Sequence, residues 1–492
     1  MGISVNRKET KFLPDSTRVI ARFLLLGDER AMNIIRLVQN MPDKEASMAL
    51  NQVLRDYSFR HRNISKIFEK HFNKIIHLFY KLKIDPETID SVRRILIGSY
   101  FTMEYSIEST AFFNPSIIEH PDQSETGPHE KRVIISFRAT GEGHISSIVF
   151  RAGILDKNNN LRIEPVGKMR EEAEHIRRHI YDKKSFIEKL EEMEALHALL
   201  VPSGLIMDKL HDTFTYNELR EHIEEARMTL HLSADKELMF KQILWLALSH
   251  YELQFSLDTN ISERVIFPVS TTERNGIEDA RFVKFTGDDE NLIYYATYTA
   301  YSGMSILPKL IQTKDFYHFK IMPIHGEIAQ NKGMALFPRK VNGKFAMLCR
   351  LDGFNNYIAF SDQINIWREA NLLQQPRFPW EFIQIGNSGS PIETEAGWLV
   401  ITHGVGSMRE YALGAALFDL NNPEKEIGRL KSPLIYPNNE EREGYVPNVV
   451  YSCGSIIHNN DLIIPYAMSD YASTYATINL REILNELKNS VV

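Results

Sequence analysis

The spacing of apolar residues changes three times along this chain. Up to about residue 108 they recur every three or four positions. Ile67, Phe68, Phe72, Ile75, Ile76 and Phe79 share one face between Ile64 and Leu82, and Ile89, Val92 and Leu96 repeat the spacing after Asp85-Pro86. That pair reads as an N-cap followed by proline at the first helical position. From 109 to 164 the period shortens to two, with Val133 to Arg138 and Ile145 to Arg151 reading as strands and Ala139 to His144 as their connecting turn. A helical period returns over 165–251, where Ile176, Ile180, Ile187, Leu190 and Met193 form a stripe and Thr215 with Glu218 fits a capping box. From 252 onward short strand-like runs are separated by turns, among them Asn342-Gly343, until a last helical segment at Leu480–Leu487. The pattern predicts a mainly β protein: an N-terminal helical region over 1–108, a helical insertion over 165–251, and a strand-rich body made of 109–164 and 252–492. Many short strands suit a sandwich, a barrel or a propeller, and the period alone does not choose. The stripe in the insertion fits packing against the N-terminal helices or a dimerisation surface.

Composition narrows the function classes. The 492 residues are 43% hydrophobic and 25% charged, ample for a buried core and more than one domain, with a net charge of −7. An acidic balance gives no footprint for nucleic acid or an anionic membrane, so the basic residues between Arg60 and Lys74 read as a solvated helix face. Two cysteines, Cys349 and Cys453, exclude a disulfide framework and zinc-ligand spacing. The N-terminus has no apolar leader, no stretch is long enough to span a bilayer, and Gly2 is followed by Asn at position 6 rather than the Ser or Thr of a myristoylation signal. The expectation is a cytoplasmic protein with no cofactor and no metal.

Candidate chemistry gathers at Gly276-Ile277-Glu278-Asp279-Ala280-Arg281, an acidic pair and an arginine ahead of the tyrosine-rich run from Leu292 to Tyr301. In an extended segment neighbouring side chains point to opposite faces, which predicts a structural role for one acid and a cavity-facing role for the other. A carboxylic acid beside a tyrosine wall suits protonation of a sugar leaving group. Other motifs are weaker. Gly386-Asn387-Ser388-Gly389-Ser390-Pro391 lacks the flanking residues of a serine-protease nucleophile loop, Gly404-Val405-Gly406 lacks the third glycine and the βαβ context of a dinucleotide site, and His403 has no partner at metal-ligand spacing. Trp380 and Trp398 read as core residues.

Several further stretches follow in order: Lys332-Gly333-Met334, Phe345 to Arg350, Ile385 to Leu399 with Thr402-His403-Gly404 behind it, Tyr411 to Leu420, Gly444 to Val450, and Ile464 to Asp470. Together with the acidic motif these resemble glycoside hydrolase family 130, the mannoside phosphorylases and β-mannosidases, over roughly 109–164 and 252–485. The resemblance implies a five-bladed β-propeller. It maps the family's general acid, which acts through a sugar hydroxyl, onto Asp279, with Ala280 in place of the usual proline. Arg281 matches the motif arginine that holds the acid or a neighbouring carboxylate. Lys332 and Arg350 fall on two phosphate-binding positions of the phosphorylases. A third position, lysine in the phosphorylases, is Glu393 here, as in the hydrolytic members. A carboxylate there repels phosphate and can deprotonate water, and inverting hydrolysis needs an acid and a base about 6.5–9.5 Å apart. The resulting expectation is inverting hydrolysis of short β-mannosides, with the β-1,2 linkage taken from the hydrolytic members, Asp279 as acid and Glu393 as base. Glu441 matches a second family glutamate, although Glu443 lies closer to Gly444. Asn114, Arg138, Tyr298, His403 and Asp470 are expected sugar or pocket contacts. The alternatives are a phosphorylase that uses inorganic phosphate and releases mannose 1-phosphate, and a non-catalytic carbohydrate-binding propeller. The implied partners are an oligosaccharide, phosphate in the second case, and a further copy of the chain through the helical segments.

Overall fold

In the computed structural model, which describes residues 3–176, 180–184, 186–188, 190, 204–229, 234–268, 270, 273–301 and 306–490, the strand-rich body is five sheets that follow one another along the chain. Each begins with a run of antiparallel strands. The first holds Ala111–Glu119, Lys131–Thr140 and Ser146–Leu155; the second holds Ile277–Thr286, Leu292–Tyr301, Ile306–Thr313 and His318–Pro323. The third runs from Ala335–Leu336 through Phe345–Cys349 and Asn356–Ser361 to Ala370–Gln374. In the fourth, Gln384–Asn387 and Ile392–Thr394 both pair with Gly397–Val405, followed by Tyr411–Phe418 and Glu426–Arg429. The fifth joins Val450–Tyr451 and Ile456–His458 to Asp461–Met468, then Ala472–Asn479, and takes its outer strand, Val5–Arg7, from the other end of the chain.

Consecutive sheets touch one another at or near their opening strands. Phe282 N donates to Ser116 Oγ at 3.1 Å, Thr297 Oγ1 donates to the Met334 carbonyl at 2.5 Å, and Asn387 Nδ2 donates to the Gly333 carbonyl at 2.7 Å. Cys453 N returns to the Pro115 carbonyl of the first sheet at 2.8 Å. Between the fourth and fifth sheets the crowding is extreme: a Cβ on Gly389, whose φ is +125°, would lie 2.7 Å from the Cys453 carbonyl oxygen. Only glycine satisfies both demands at once.

The helical period is borne out in most of the N-terminal region, with corrections. Helices cover Asp28–Gln39, Asp43–Tyr57, Ile64–Lys74, Ile76–Lys81 and Ser91–Tyr100. The single helix expected from Ile64 to Leu82 is broken at Ile75, whose φ and ψ are −107° and 8°. Asp85-Pro86 opens a one-turn 3₁₀ segment instead, and Asp90 caps the helix that follows by accepting from Arg93 N. Two strands the period did not indicate, Val19–Phe23 and Thr102–Ser106, form a ribbon that packs Ile20 and Tyr105 onto Phe112 and Phe137 of the first sheet.

In the insertion, Thr215 and Glu218 exchange the two capping bonds and start the helix Tyr216–Thr229, with Ala234–Leu248 after it. The expected stripe fails at two positions. Ile176 ends a strand that extends the second sheet, and Ile180 starts a short strand in which it is exposed. Leu190 is buried with Tyr181, Phe186 and Phe240, and Met193 lies outside the described residues. No helix among the described residues is long and apolar enough to cross a membrane.

A buried ion cluster ties the N-terminal region to the first sheet. Glu108 pairs with Arg18 on one oxygen and with Arg151 at 2.7 Å on the other, and Arg18 Nη2 donates to the Ser262 carbonyl at 2.6 Å. Removing the shared carboxylate leaves two buried guanidinium groups facing each other, which typically costs about 3–5 kcal/mol. Glu108→Ala should therefore lower the unfolding free energy by roughly that amount, read as an earlier midpoint in urea denaturation.

Candidate active site

The opening strands of four of the five sheets are interrupted, and the interruptions of the first two carry candidate residues. In the first sheet Phe113 faces Arg138 and Ser116 faces Ser136, three steps against two. In the second, Glu278 faces Thr299 and Arg281 faces Thr297, again three against two. The extra residue makes a β-bulge, and its left-handed residue is Asn114 in one strand and Asp279 in the other, with φ of 50° and 55°. Asn and Asp are the side chains that tolerate this region best. Pro115 and Ala280 follow at matching places, and a bulge is where a strand accepts proline. The opening strands of the fourth and fifth sheets are broken at 388–391 and 452–455.

The bulge overturns the expectation that Glu278 and Asp279 face opposite ways. Both reach the same cations. Arg138 Nη2 donates to Glu278 Oε1 at 2.8 Å, while its Nη1 lies 3.7 Å from Asp279 Oδ1. Lys332 Nζ donates to Glu278 Oε2 at 2.5 Å. Asn114 Nδ2 donates to Asp279 Oδ1 at 2.6 Å. Arg281 donates through Nη2 to the Tyr451 hydroxyl at 2.6 Å. Arg350 and Asp470 complete the group, and neither makes a hydrogen bond or ion pair with any other described residue. Asn114 Oδ1 and the Nε atoms of Arg138, Arg281 and Arg350 are buried with no protein partner. Unpaired buried polar atoms are rare, and a concentration of them around one carboxylate marks hydrogen-bonding capacity aimed at a ligand.

The electrostatics follow from the placement. Burial alone would raise the Asp279 carboxyl. Arg138, then Arg281, the Asn114 amide and Lys332 overcome it and hold the group below the ordinary carboxylate range. Asp470 goes the other way: burial first, then the neighbouring Asp279 charge, push it up to about 6, against the pull of Arg138 and Arg409. His403 is driven down to about 3 by burial, then by Arg350 and Arg281. Its Nδ1 sits 3.0 Å from the Asn387 carbonyl, so that nitrogen carries the proton, and Nε2 accepts from Gln384. Ser388 Oγ lies 3.4 Å from the same Nδ1, and a protonated nitrogen cannot act as its base. The nucleophile-loop reading of this segment fails on that atom.

Asn114, Arg138, Arg281, Lys332, Arg350, His403 and Asp470 are therefore gathered around Asp279. Three expected residues are not. Glu393 chelates Arg339 through both oxygens at 2.7 Å, with 42% of its side chain exposed. It faces Trp398 in the strand pairing while Asn387 faces Thr402. Four residues of strand put it about 13 Å further along, toward the other end of the sheet. Glu441 accepts from Arg7 and from the Tyr466 hydroxyl, where it ties the N-terminal strand to the fifth sheet. Tyr298 is buried and donates to Glu273, which also pairs with Lys309 at 2.7 Å. Two residues of the cluster escaped the sequence reading. Glu278 was set aside by the strand-alternation rule, which a bulge breaks. Tyr451 follows directly on the Gly444 to Val450 stretch, and that adjacency was its only signal.

The raised Asp470 carboxyl sets a test. Its folded-state value lies about two units above that of an exposed aspartate. The folded state therefore loses stability as pH rises from about 4 through about 6, by some 2–3 kcal/mol in all. Asp470→Asn should match the wild type at pH 4 and unfold at a higher denaturant midpoint at pH 7.5.

Residues 216–489, more than half the chain, match the family model described as beta-1,4-mannooligosaccharide phosphorylase. A 1,2-beta-oligomannan phosphorylase of Thermoanaerobacter sp. (strain X514) is 35% identical over 217 residues, 43% of this chain and 71% of that protein. A beta-1,2-mannobiose phosphorylase of Listeria innocua serovar 6a is 31% identical over 244 residues, 48% of this chain and 65% of that one. A solved structure of the Listeria innocua beta-1,2-mannobiose phosphorylase with beta-1,2-mannobiose covers 78% of this chain and 93% of its own at 22% identity, with a TM-score of 0.47, too loose a superposition to bear on the site. The family match and the identity to the Thermoanaerobacter protein place this chain in glycoside hydrolase family 130, whose members are enzymes acting on mannosides.

Proposed function

We propose that this chain is an inverting β-mannoside phosphorylase. The observation that carries the reading is the company Asp279 keeps. Arg138, Arg281 and Lys332 act on it directly, Arg350 stands by His403 and Tyr451 in the same cluster, and Glu393, the one residue that favoured hydrolysis, is held by Arg339 elsewhere on the fourth sheet. A dianion in a cavity needs charge-assisted hydrogen bonds, and Arg350 has its whole guanidinium to give. With Glu393 elsewhere, the carboxylates near Asp279 among the described residues are Glu278, which is taken up by Arg138 and Lys332, and Asp470, while the cations suit an oxyanion nucleophile. Substrate follows from the relatives: two are named for β-1,2-linked mannosides, and we assign the same linkage here.

In this reading phosphate lies among Arg350, Arg281, Lys332 and Arg138 and attacks the anomeric carbon from the side opposite the leaving oxygen. Asp279 supplies the proton to that oxygen, through a sugar hydroxyl as in the family. Tyr451 aims Arg281, and Asn114 fixes the rotamer of Asp279. Asp470 accepts from sugar hydroxyls. The scaffold we propose for it is a five-bladed propeller over 109–164 and 252–490, with the region before 109 and the insertion at 165–251 packed outside. Support comes from the five successive sheets and from contacts between neighbouring sheets that lead from the first sheet round to the fifth and back.

Product analysis by NMR with β-1,2-mannobiose tests the reaction. Mannose and α-mannose 1-phosphate should form in phosphate buffer, with no cleavage in its absence; free mannose appearing equally fast without phosphate would restore the hydrolase. Three variants separate the roles. Asp279→Asn should lose about 10²–10⁴-fold in rate. Arg350→Ala should raise KM for phosphate by roughly 10–100-fold, the worth of a charge-assisted bond of about 1.5–3 kcal/mol, and leave KM for the mannoside nearly unchanged. Glu393→Gln should retain wild-type turnover.

A further inference from the structure

A general acid must hold a proton when the leaving oxygen needs it, and the cluster's own side chains act to keep Asp279 ionised. Its Oδ1 accepts from Asn114 of the first sheet at 2.6 Å and lies 3.7 Å from Arg138 of the next strand. Arg281 flanks it on its own strand and donates to the Asp279 carbonyl at 3.4 Å. Lys332, approaching the third sheet, grips the adjacent Glu278. From the fourth sheet comes neutral His403, and from the fifth come Tyr451 and Cys453, both uncharged because burial raises them. Asp470 faces it from the turn before Ala472–Asn479, with Arg409 beyond. Arg138, Arg281, Lys332 and Arg350 thus stand against Glu278, Asp279 and Asp470, and the last of these is the carboxyl most ready to be neutral. The excess is positive, and it is the same charge a bound phosphate would use.

We propose that inorganic phosphate calls in the proton for its own reaction: seated among Arg138, Arg281, Lys332 and Arg350, the anion cancels their charge, and Asp279 takes a proton from solvent. The inference rests on the phosphorylase reading and adds an order of events to it, since the acid is armed only when the nucleophile is present. Asp470 is the neighbouring carboxyl and shares the arriving proton. The balance closes over one turnover. Asp279 gives its proton to the leaving oxygen, a phosphate oxygen bonds to the anomeric carbon as the glycosidic bond breaks, and the proton of HPO₄²⁻ leaves for solvent when the hexose 1-phosphate departs as a dianion. What is taken up with phosphate is returned with the product. Without phosphate the acid stays ionised, so the glycosidic bond is protected from water.

The test is calorimetric titration of the full chain with inorganic phosphate at pH 7, in two buffers of different ionisation enthalpy, for wild type and Asp279→Asn. The difference between buffers counts protons, and phosphate's own ionisation is common to both proteins. Asparagine tolerates the left-handed backbone at this position, so the variant should fold. Wild type should take up about 0.5–1 proton more than Asp279→Asn, and the variant should bind phosphate more tightly because a repelling carboxylate is gone. Equal proton uptake by the two proteins overturns the coupling while leaving the phosphorylase intact. Absence of phosphate binding by wild type, with free mannose as product, removes the phosphorylase reading and the coupling with it.

Discussion

Everything at the candidate site depends on gathering like charges where water is scarce. Arg138, Arg281, Lys332 and Arg350 can share a small volume only because Glu278, Asp279 and Asp470 are among them. Breaking such a set leaves a buried charge uncompensated, so it must be held by rigid backbone rather than by loops. The opening strands do this by being interrupted. A strand that alternated faithfully would turn Glu278 away from Asp279, and the extra residue at each bulge brings both to one side.

The surrounding structure makes those interruptions tolerable. A residue at positive φ costs free energy that its neighbours must supply. Around Asn114 and Asp279 they do so through contacts between sheets: Ser116 to Phe282, Cys453 to Pro115, and the glycine at 389 that lets the fourth and fifth sheets approach. Behind the second sheet, the buried Lys309–Glu273 pair with Tyr251 and Tyr298 anchors the segment leading into Gly276. The strand Val5–Arg7, held by Glu441 as well as by its pairing, ties the two ends of the chain together across the fifth sheet. Tyr298, expected as a sugar contact, and Glu441, expected as a catalytic glutamate, serve this framework.

The alternation of apolar positions was enough to separate helix from strand in most of the chain, because burial on one face of a helix or sheet writes its period into the sequence. It placed the strands at Val133 and Ile148, the helix at Ser91–Tyr100 and the capped helix at Tyr216 within a few residues. It failed at Ile176 and Ile180, where a strand adds to the edge of the second sheet and a separate short pair forms, since pairing at an edge is decided by what lies alongside. The motif order likewise indicated the family, and it put Asp279, Arg281, Lys332 and Arg350 in one site.

What only the tertiary structure decided is which charges meet. Glu393 has the right residue type in the right motif, yet four residues of strand and a nearby Arg339 give it another partner. Glu278 has an unremarkable place beside the acid, yet a bulge makes it the carboxylate shared by Arg138 and Lys332. Sequence determines which side chains are available and how often they face inward. Electrostatic roles depend on distances of a few ångströms between residues far apart in the chain, and those are set by strand register, bulges and the packing of one sheet on the next.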